Sequence, residues 1–319
     1  ALGGAGLLFV RFGETGGTNL VMYAIAVIAT ITLLYAGALA LIQNGIKRLL
    51  IYSTVSQLGY ILLGLALTTP EGIAGGLMHL VNHMLLKDIL FLAAGCILAQ
   101  VHVSSLDELG GLGRKMPLTF GMFLLAGLSL SGIPPLNGFA SKWLIYQAAF
   151  QSGHYLLGLS AMMSSLFTLA AVLKFAHAAF MGTPSAHLQK VHEAPLSMLL
   201  PMGLLSLAAL VISLLPGVLL VPISHLMAVA GLGELSVSWT GPLPGTGGWH
   251  PLTLWLLVAI TGVAGWLFYR LSNRQSQRIH LHQGGVSDIT PVQAHVPASA
   301  LYPAPERFIR QVLRVREKE

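Results

Sequence analysis

Seven apolar runs confine this chain to a lipid bilayer. They cover residues 20–42, 49–68, 72–100, 118–150, 154–181, 196–228 and 252–270. Each is about the ~20 residues needed to cross hydrocarbon, or longer. Hydrocarbon offers backbone N–H and C=O groups no water, so each run must close its hydrogen bonds internally as an α-helix. Charge content agrees, at 9% of the 319 residues against roughly a quarter in a soluble domain. The fold class expected is an all-α membrane protein of about seven transmembrane helices.

The loops carry a consistent bias. With the first run passing from outside to inside, the inner connections are 43–48, 101–117, 182–195 and the tail after 270. They hold Lys47 and Arg48, Arg114 and Lys115, Lys190, and Arg270, Arg274 and Arg278. The outer connections, 69–71, 151–153 and 229–251, hold no Lys or Arg. The positive-inside rule is obeyed at every connection. It puts the tail in the cytoplasm, and a bacterial-type inner (plasma) membrane is the expected location. Eight of the seventeen Lys and Arg lie from Arg270 onward, a pattern that suits a lipid surface rather than nucleic acid. Within the tail, PAPERFIRQVLRVREKE (303–319) reads as a basic amphipathic helix on the inner leaflet or as a disordered solubilising tail. The opening ALGGAGLLFV has no basic region before its apolar stretch. It reads as the end of a preceding helix, and the chain as a C-terminal fragment. The single cysteine, Cys96, offers no disulfide or redox pair and reads as a small buried hydrophobe.

The fourth run is too long and is interrupted. SGIPPLNGF (131–139) places Gly132, Pro134, Pro135, Asn137 and Gly138 at mid-membrane depth. Two prolines remove two donors and clash with the preceding turn, so the helix must open over Ser131–Gly138. Broken helices near the midplane are where transporters build ion sites. The alternative is a plain kink, filled by Asn137 or by neighbouring helices.

The third run contains HLVNHMLLKDILFLAAG (79–95). His79, His83 and Lys87 are spaced i, i+4, i+8 and fall on one helical face. Charged groups at this depth are costly unless they face protein or water, and by default they mark ion paths. Imidazoles exchange protons near neutral pH. The three together can form a proton relay; interhelical hydrogen bonding is the plainer reading. Asp88 points about 100° away from Lys87. It either answers a cation on a neighbouring helix or tunes Lys87. Lys142 follows the break directly and lies too deep to snorkel easily. Lys174 and His177 are nearer the inner end, where snorkelling and function are both open. Ser53, Gln57 and Tyr60 share a face of the second run, as helix–helix glue or as the lining of a water chain.

No phosphate-binding loop, dinucleotide fingerprint, cysteine cluster or metal-ligand spacing is present. No catalytic residue, metal or cofactor is therefore expected. Haem on His79 or His83 is disfavoured because a facing histidine at matching depth is missing.

Four stretches in order carry a resemblance: IKRLLIYSTVSQLGY (46–60), HLVNHMLLKDILFLAAG (79–95), LGGLGRKMPLT (109–119) and LSLSGIPPLNGFASKW (128–143). They resemble the large antiporter-like membrane subunits of respiratory complex I, energy-converting hydrogenases and multisubunit Mrp antiporters. The resemblance implies a fourteen-helix fold with two inverted five-helix repeats, of which residues 20–181 would be the second. Residues 1–19 would end a preceding helix, 182–270 would add two helices, and 271–319 would form the basic tail. Lys87 matches the family's central lysine, His79 and His83 the histidines leading to it, and Lys142 the lysine on the second broken helix. Asp88 departs from the small residue usual after the central lysine. The implied function is proton translocation by a His/Lys relay, as a non-redox subunit beside other membrane subunits and redox subunits. A sodium/proton antiporter subunit, with Asp88 a candidate ligand, is the alternative; an inert scaffold is a second.

Overall fold

Helix boundaries follow the apolar runs within a few residues. The computed structural model describes residues 20–181, 188, 191–242, 250–272, 298 and 301–313. The N-terminal stub 1–19, Lys190, Arg274, Arg278 and most of the tail lie outside the described residues. The helices are α1 (Leu20–Leu41), α2 (Ile46–Ala66), α3 (Pro70–Val101), α4 (Pro117–Ser131), α5 (Asn137–Gln151), α6 (Tyr155–Phe175, continued by a π-turn to Phe180), α7 (Leu196–Leu214), α8 (Gly217–Val229), α9 (Pro251–Ser272) and α10 (Pro303–Leu313). Among the described residues, six helices are long and apolar enough to span a bilayer, and α4 and α8 are shorter apolar helices.

Local chemistry explains the ends. Thr69 caps α3 by accepting from the Gly72 N–H at 3.1 Å, with Pro70 at the first helical position. Gly132, at φ +82°, terminates α4 in a left-handed conformation. The lysine stem of Lys142 also approaches within 3.0 Å of where a Cβ on Gly132 would lie. The long fourth run is thus two helices, α4 and α5, as the prolines require.

One expectation is corrected. The run 196–228 is not a single span. It breaks at Leu215–Pro216 into α7 and α8. Pro216 biases Leu215 away from the helical region (φ −128°, ψ 71°). Gly217 then packs against a short hairpin, Val237–Ser238 with Gly241–Pro242. A Cβ at 217 would meet the Trp239 backbone at 2.3 Å, and the Gly217 N–H donates to the Trp239 carbonyl at 3.1 Å. Residues 237–242 of the expected outer loop therefore fold back onto the start of α8.

Helix α3 is central and packs against α2, α4, α5, α7 and α8. Its fit to α2 depends on glycine. A Cβ on Gly64 would sit 2.8 Å from the Gly72 carbonyl, and one on Gly76 would sit 3.1 Å from the Ile61 carbonyl. Small residues let membrane helices approach at backbone distance. The two largest apolar clusters bracket the site. One joins the Leu41 end of α1 and Ile46 end of α2 to later turns of α3 and α6, and includes Cys96, Phe123 and Phe175. The other joins Ala29 and Leu33 to Tyr60, Ile145 and Ala161. Buried polar side chains occupy the layer between them. At the far end of the chain, α10 forms where an amphipathic helix was one of two readings, and Ile309 packs on Leu39, Leu41 and Ile42.

The break in the fourth run supplies a test of packing. A Cβ at Gly138 would fall 1.8 Å from the Ser129 carbonyl, while one at Gly121 would meet nothing within 4 Å. Gly138→Ala should destabilise the purified protein by about 1–3 kcal/mol or more, read as a lower unfolding temperature in detergent. Gly121→Ala should leave that temperature unchanged or slightly raised.

Candidate functional site

The polar layer is built on α3, which buries His79, Asn82, His83 and Lys87 along one face. His79 is held on both ring nitrogens: Nδ1 lies 2.9 Å from Ser141 Oγ and Nε2 lies 3.1 Å from Gln57 Oε1. Hydrogen-bond polarity can be followed outward. The Thr168 hydroxyl donates to the Ser164 carbonyl (3.0 Å) and accepts from the Gln57 amide nitrogen (3.2 Å). That arrangement turns Gln57 Oε1 toward His79, so neutral His79 carries its proton on Nε2. Ser141 is 3.2 Å from the Gly138 carbonyl. If Nδ1 also gains a proton, it can donate to Ser141 Oγ while the hydroxyl turns to that carbonyl. Both charge states of His79 are therefore served by the same neighbours.

His83 stacks near His79, with ring centroids 6.4 Å apart. Its Nε2 is buried without a hydrogen-bond partner among the described residues. One turn on, Lys87 Nζ donates to Ser53 Oγ at 2.6 Å and to the Leu50 carbonyl at 3.0 Å. The Lys87 residue is 4% exposed.

Lys142 reaches the layer from α5 and is 1% exposed. Its Nζ donates to Ser165 Oγ at 3.0 Å and lies 4.2 Å from the centre of the Tyr60 ring, a cation–π contact. The same Ser165 hydroxyl meets Tyr60 Oη at 2.9 Å and Tyr146 Oη at 2.6 Å. Tyr60 also donates to the Ala161 carbonyl. The Tyr60 ring borders His79 at a centroid distance of 5.6 Å, so it touches both the lysine and the histidine.

The break joins this layer through Asn82 and Asn137. Asn82 Nδ2 donates to the Asn137 carbonyl and Asn137 Nδ2 to Asn82 Oδ1, each at 2.9 Å. Ser129 donates to Asn137 Oδ1 and accepts from the Gly138 N–H at 3.0 Å. The Asn137 N–H is taken by Ser213 of α7 at 2.8 Å. These polar groups of the break thus find partners on α3, α4 and α7. Of the hinge residues, Pro134 is exposed and Pro135 buried.

Most of the sequence-derived candidates converge: His79, His83, Lys87, Lys142, Ser53, Gln57 and Tyr60 lie in one connected region. Lys174 and His177 do not join it. Lys174 Nζ donates to the Leu41 carbonyl at the end of α1, at 3.1 Å, and His177 Nδ1 is buried without a partner among the described residues. Asp88 is exposed on the opposite side of α3. Ser141, Tyr146, Ser164, Ser165, Thr168, Asn82 and Ser129 are site residues that pattern reading passed over. For Tyr146 the i+4 spacing from Lys142 was an available signal.

Comparison with known proteins places the chain in a family and a fold. Residues 2–168, just over half of the chain, match the family described as NADH:quinone oxidoreductase/Mrp antiporter, TM. A polypeptide of a probable K(+)/H(+) antiporter of Rhizobium meliloti (strain 1021) is 33% identical, over 82% of this chain and 27% of that one. Hydrogenase-4 component B of Escherichia coli (strain K12) is 36% identical, over 65% of this chain and 34% of that one. A solved chain of the membrane-bound sulfane sulfur reductase, an archaeal respiratory membrane complex, superposes with a TM-score of 0.83 at 28% identity, covering 92% of this chain and 48% of that one. The chain therefore spans about half the length of that solved relative and about a third or less of the two curated ones. It belongs to the NADH:quinone oxidoreductase/Mrp antiporter transmembrane family, as a multi-pass, antiporter-like membrane subunit.

Ser165 gives the site its test. Ser165→Ala takes the hydroxyl partner from the buried Lys142 ammonium and from Tyr146, while Tyr60 keeps the Ala161 carbonyl, and should cost about 1–3 kcal/mol, measured as thermal stability in detergent. Adding Lys142→Met removes the stranded charge, and the double variant should recover much of that loss.

Proposed function

We propose that this chain translocates protons as an antiporter-like subunit of a redox-driven membrane complex. Protons step between His79, His83 and Lys87 and pass by way of the Tyr60–Ser165 cluster to Lys142. The observation that carries this reading is that two buried ammonium groups flank two buried imidazoles with no buried carboxylate in the layer among the described residues. Like charges at such range repel, so loading one lysine favours release from the next. His79 supports stepwise transfer because its neighbours accommodate both charge states. The unpartnered Nε2 of His83 is open to a proton delivered by water.

The same composition favours protons over sodium. A hard cation takes oxygen ligands, carboxylates foremost, whereas this layer holds two ammonium groups and two imidazoles and, among the described residues, no carboxylate. Asp88, the candidate ligand of the sodium reading, points away from it. Energy comes from partner subunits, because the sequence carries no cofactor motif. The membrane is a bacterial-type inner membrane, with the tail on the cytoplasmic side, a reading the Lys/Arg bias of the loops supports. Residues 20–181 form the transport unit, 182–270 add flanking helices and 271–319 the tail.

The test is proton pumping by the assembled complex in inverted membrane vesicles. Lys87→Ala and Lys142→Ala should each cut substrate-driven proton uptake by about tenfold or more, with the complex still assembled. Undiminished uptake in a normally assembled variant would remove the relay and leave a structural scaffold.

A further inference from the structure

His79 sits inside a hydrogen-bond chain whose direction is fixed at both ends. One end is the Gly138 N–H, which can only donate. It gives to Ser129 Oγ at 3.0 Å, and the Ser129 hydroxyl donates onward to Asn137 Oδ1. Asn137 Nδ2 therefore faces Asn82 Oδ1 at 2.9 Å, and Asn82 Nδ2 faces Ser141 Oγ at 3.4 Å. The Ser141 hydroxyl is left to donate to His79 Nδ1 at 2.9 Å. The other end is the Ser164 carbonyl, which can only accept. It takes the Thr168 hydroxyl, Thr168 Oγ1 takes the Gln57 amide nitrogen, and Gln57 Oε1 takes the Nε2–H of His79. Every bond points from Gly138 toward Ser164, and bonds aligned in this way polarise and strengthen one another.

The amides make this chain a lock rather than a conduit. Gln57 lies beyond Nε2, and Asn82 lies beyond Ser141. An amide has separate donor and acceptor atoms, and would have to become an imidic acid to hand a proton along. Nε2 is thus a dead end. Nδ1 differs, because its neighbour is a hydroxyl that has the Gly138 carbonyl, at 3.2 Å, as a second acceptor.

We propose that Thr168, acting through Gln57, locks neutral His79 as the Nε2–H tautomer, and that the ring loads and unloads protons only at Nδ1, with Ser141 as the transfer group. In loading, Ser141 Oγ takes a proton from water while its own hydrogen passes to Nδ1. The new hydroxyl hydrogen turns to the Gly138 carbonyl, and Nδ1–H donates to Oγ. Release reverses both transfers, and Nε2–H is kept throughout. Thr168 is a positioning residue. The tautomer stands whether or not the chain pumps; the exchange at Nδ1 rests on the relay proposed above.

The experiment is magic-angle-spinning NMR of the native complex carrying isotope-labelled histidine, with His79 assigned through its backbone links to Met78 and Leu80. The protonated ring nitrogen should correlate with Cδ2, which marks Nε2–H. Correlation with Cγ, which marks Nδ1–H, or a resting ring protonated at both nitrogens would overturn the lock. Thr168→Val should move the proton to Nδ1, because the Gln57 amide nitrogen loses its acceptor and turns toward Nε2. Thr168→Ser should keep the wild-type pattern. An unchanged tautomer in Thr168→Val would overturn the role of Thr168. As a second arm, Ser141→Ala should cut substrate-driven proton uptake in inverted vesicles by about tenfold or more with Nε2–H retained. Undiminished uptake in Ser141→Ala, beside impaired Lys87→Ala and Lys142→Ala, would overturn exchange at Nδ1 and leave the relay standing. Normal uptake in the lysine variants would overturn the relay and the exchange together, and the spectrum alone would then decide the lock.

Discussion

An ammonium ion in a bilayer must be coordinated, and three buried lysines impose this need on the whole structure. Among the described residues none has a carboxylate hydrogen-bonded to it; each uses oxygen or a π-face from another helix. Lys87 of α3 donates to Leu50 and Ser53 of α2. Lys142 of α5 uses Ser165 of α6 and the Tyr60 ring of α2. Lys174 of α6 takes the Leu41 carbonyl in the last turn of α1, one of the carbonyls a helix end leaves unpaired and where positive charge is favoured. The lysines thus cross-brace five helices. Removing a brace frees an acceptor that can be re-satisfied locally, whereas removing an acceptor strands a charge.

The layering follows from the same need. Polar groups able to coordinate lysine cannot be scattered through apolar packing without leaving some unsatisfied. Here they are gathered between two apolar clusters, at the level where the fourth run opens. The break serves this layer because its exposed backbone is consumed by Asn82, Ser129 and Ser213. It brings Lys142 in at one turn from that closure. The closure of the break and the polar layer therefore share residues, and Asn82 belongs to both.

Much of this was legible in the sequence. The apolar runs and the break at SGIPPLNGF are local signals, since paired prolines remove donors wherever they stand. His79, His83, Lys87, Ser53, Gln57 and Tyr60 were legible from helical spacing. The break at Leu215–Pro216 was not. Pro201 and Pro222 sit inside α7 and α8 without interrupting them, so a lone proline does not discriminate. What distinguishes Pro216 is the hairpin folded onto Gly217, a contact about twenty residues away along the chain. The hydroxyls of Ser141 and Thr168 were illegible for a related reason. Thr168 donates to the carbonyl four residues earlier and Ser141 to the one three earlier, as Thr30, Ser206 and Ser213 do four residues back. A membrane serine or threonine carries that default bond whether or not it meets a second partner.

The glycine contact between α2 and α3 bears on how such a layer can work. At Gly64, Gly72 and Gly76 the two backbones touch, which leaves no room for one helix to slide or roll over the other without steric collision. These helices carry Gln57, Ser53, His79, His83 and Lys87. Motion between these groups is left to hydroxyl rotation, imidazole rotamers and the flexible stems of lysine, all of which can turn while the backbone stays fixed. The pair α2–α3 is a rigid chassis with swivelling parts, and the displacements it leaves to this layer are of side-chain length.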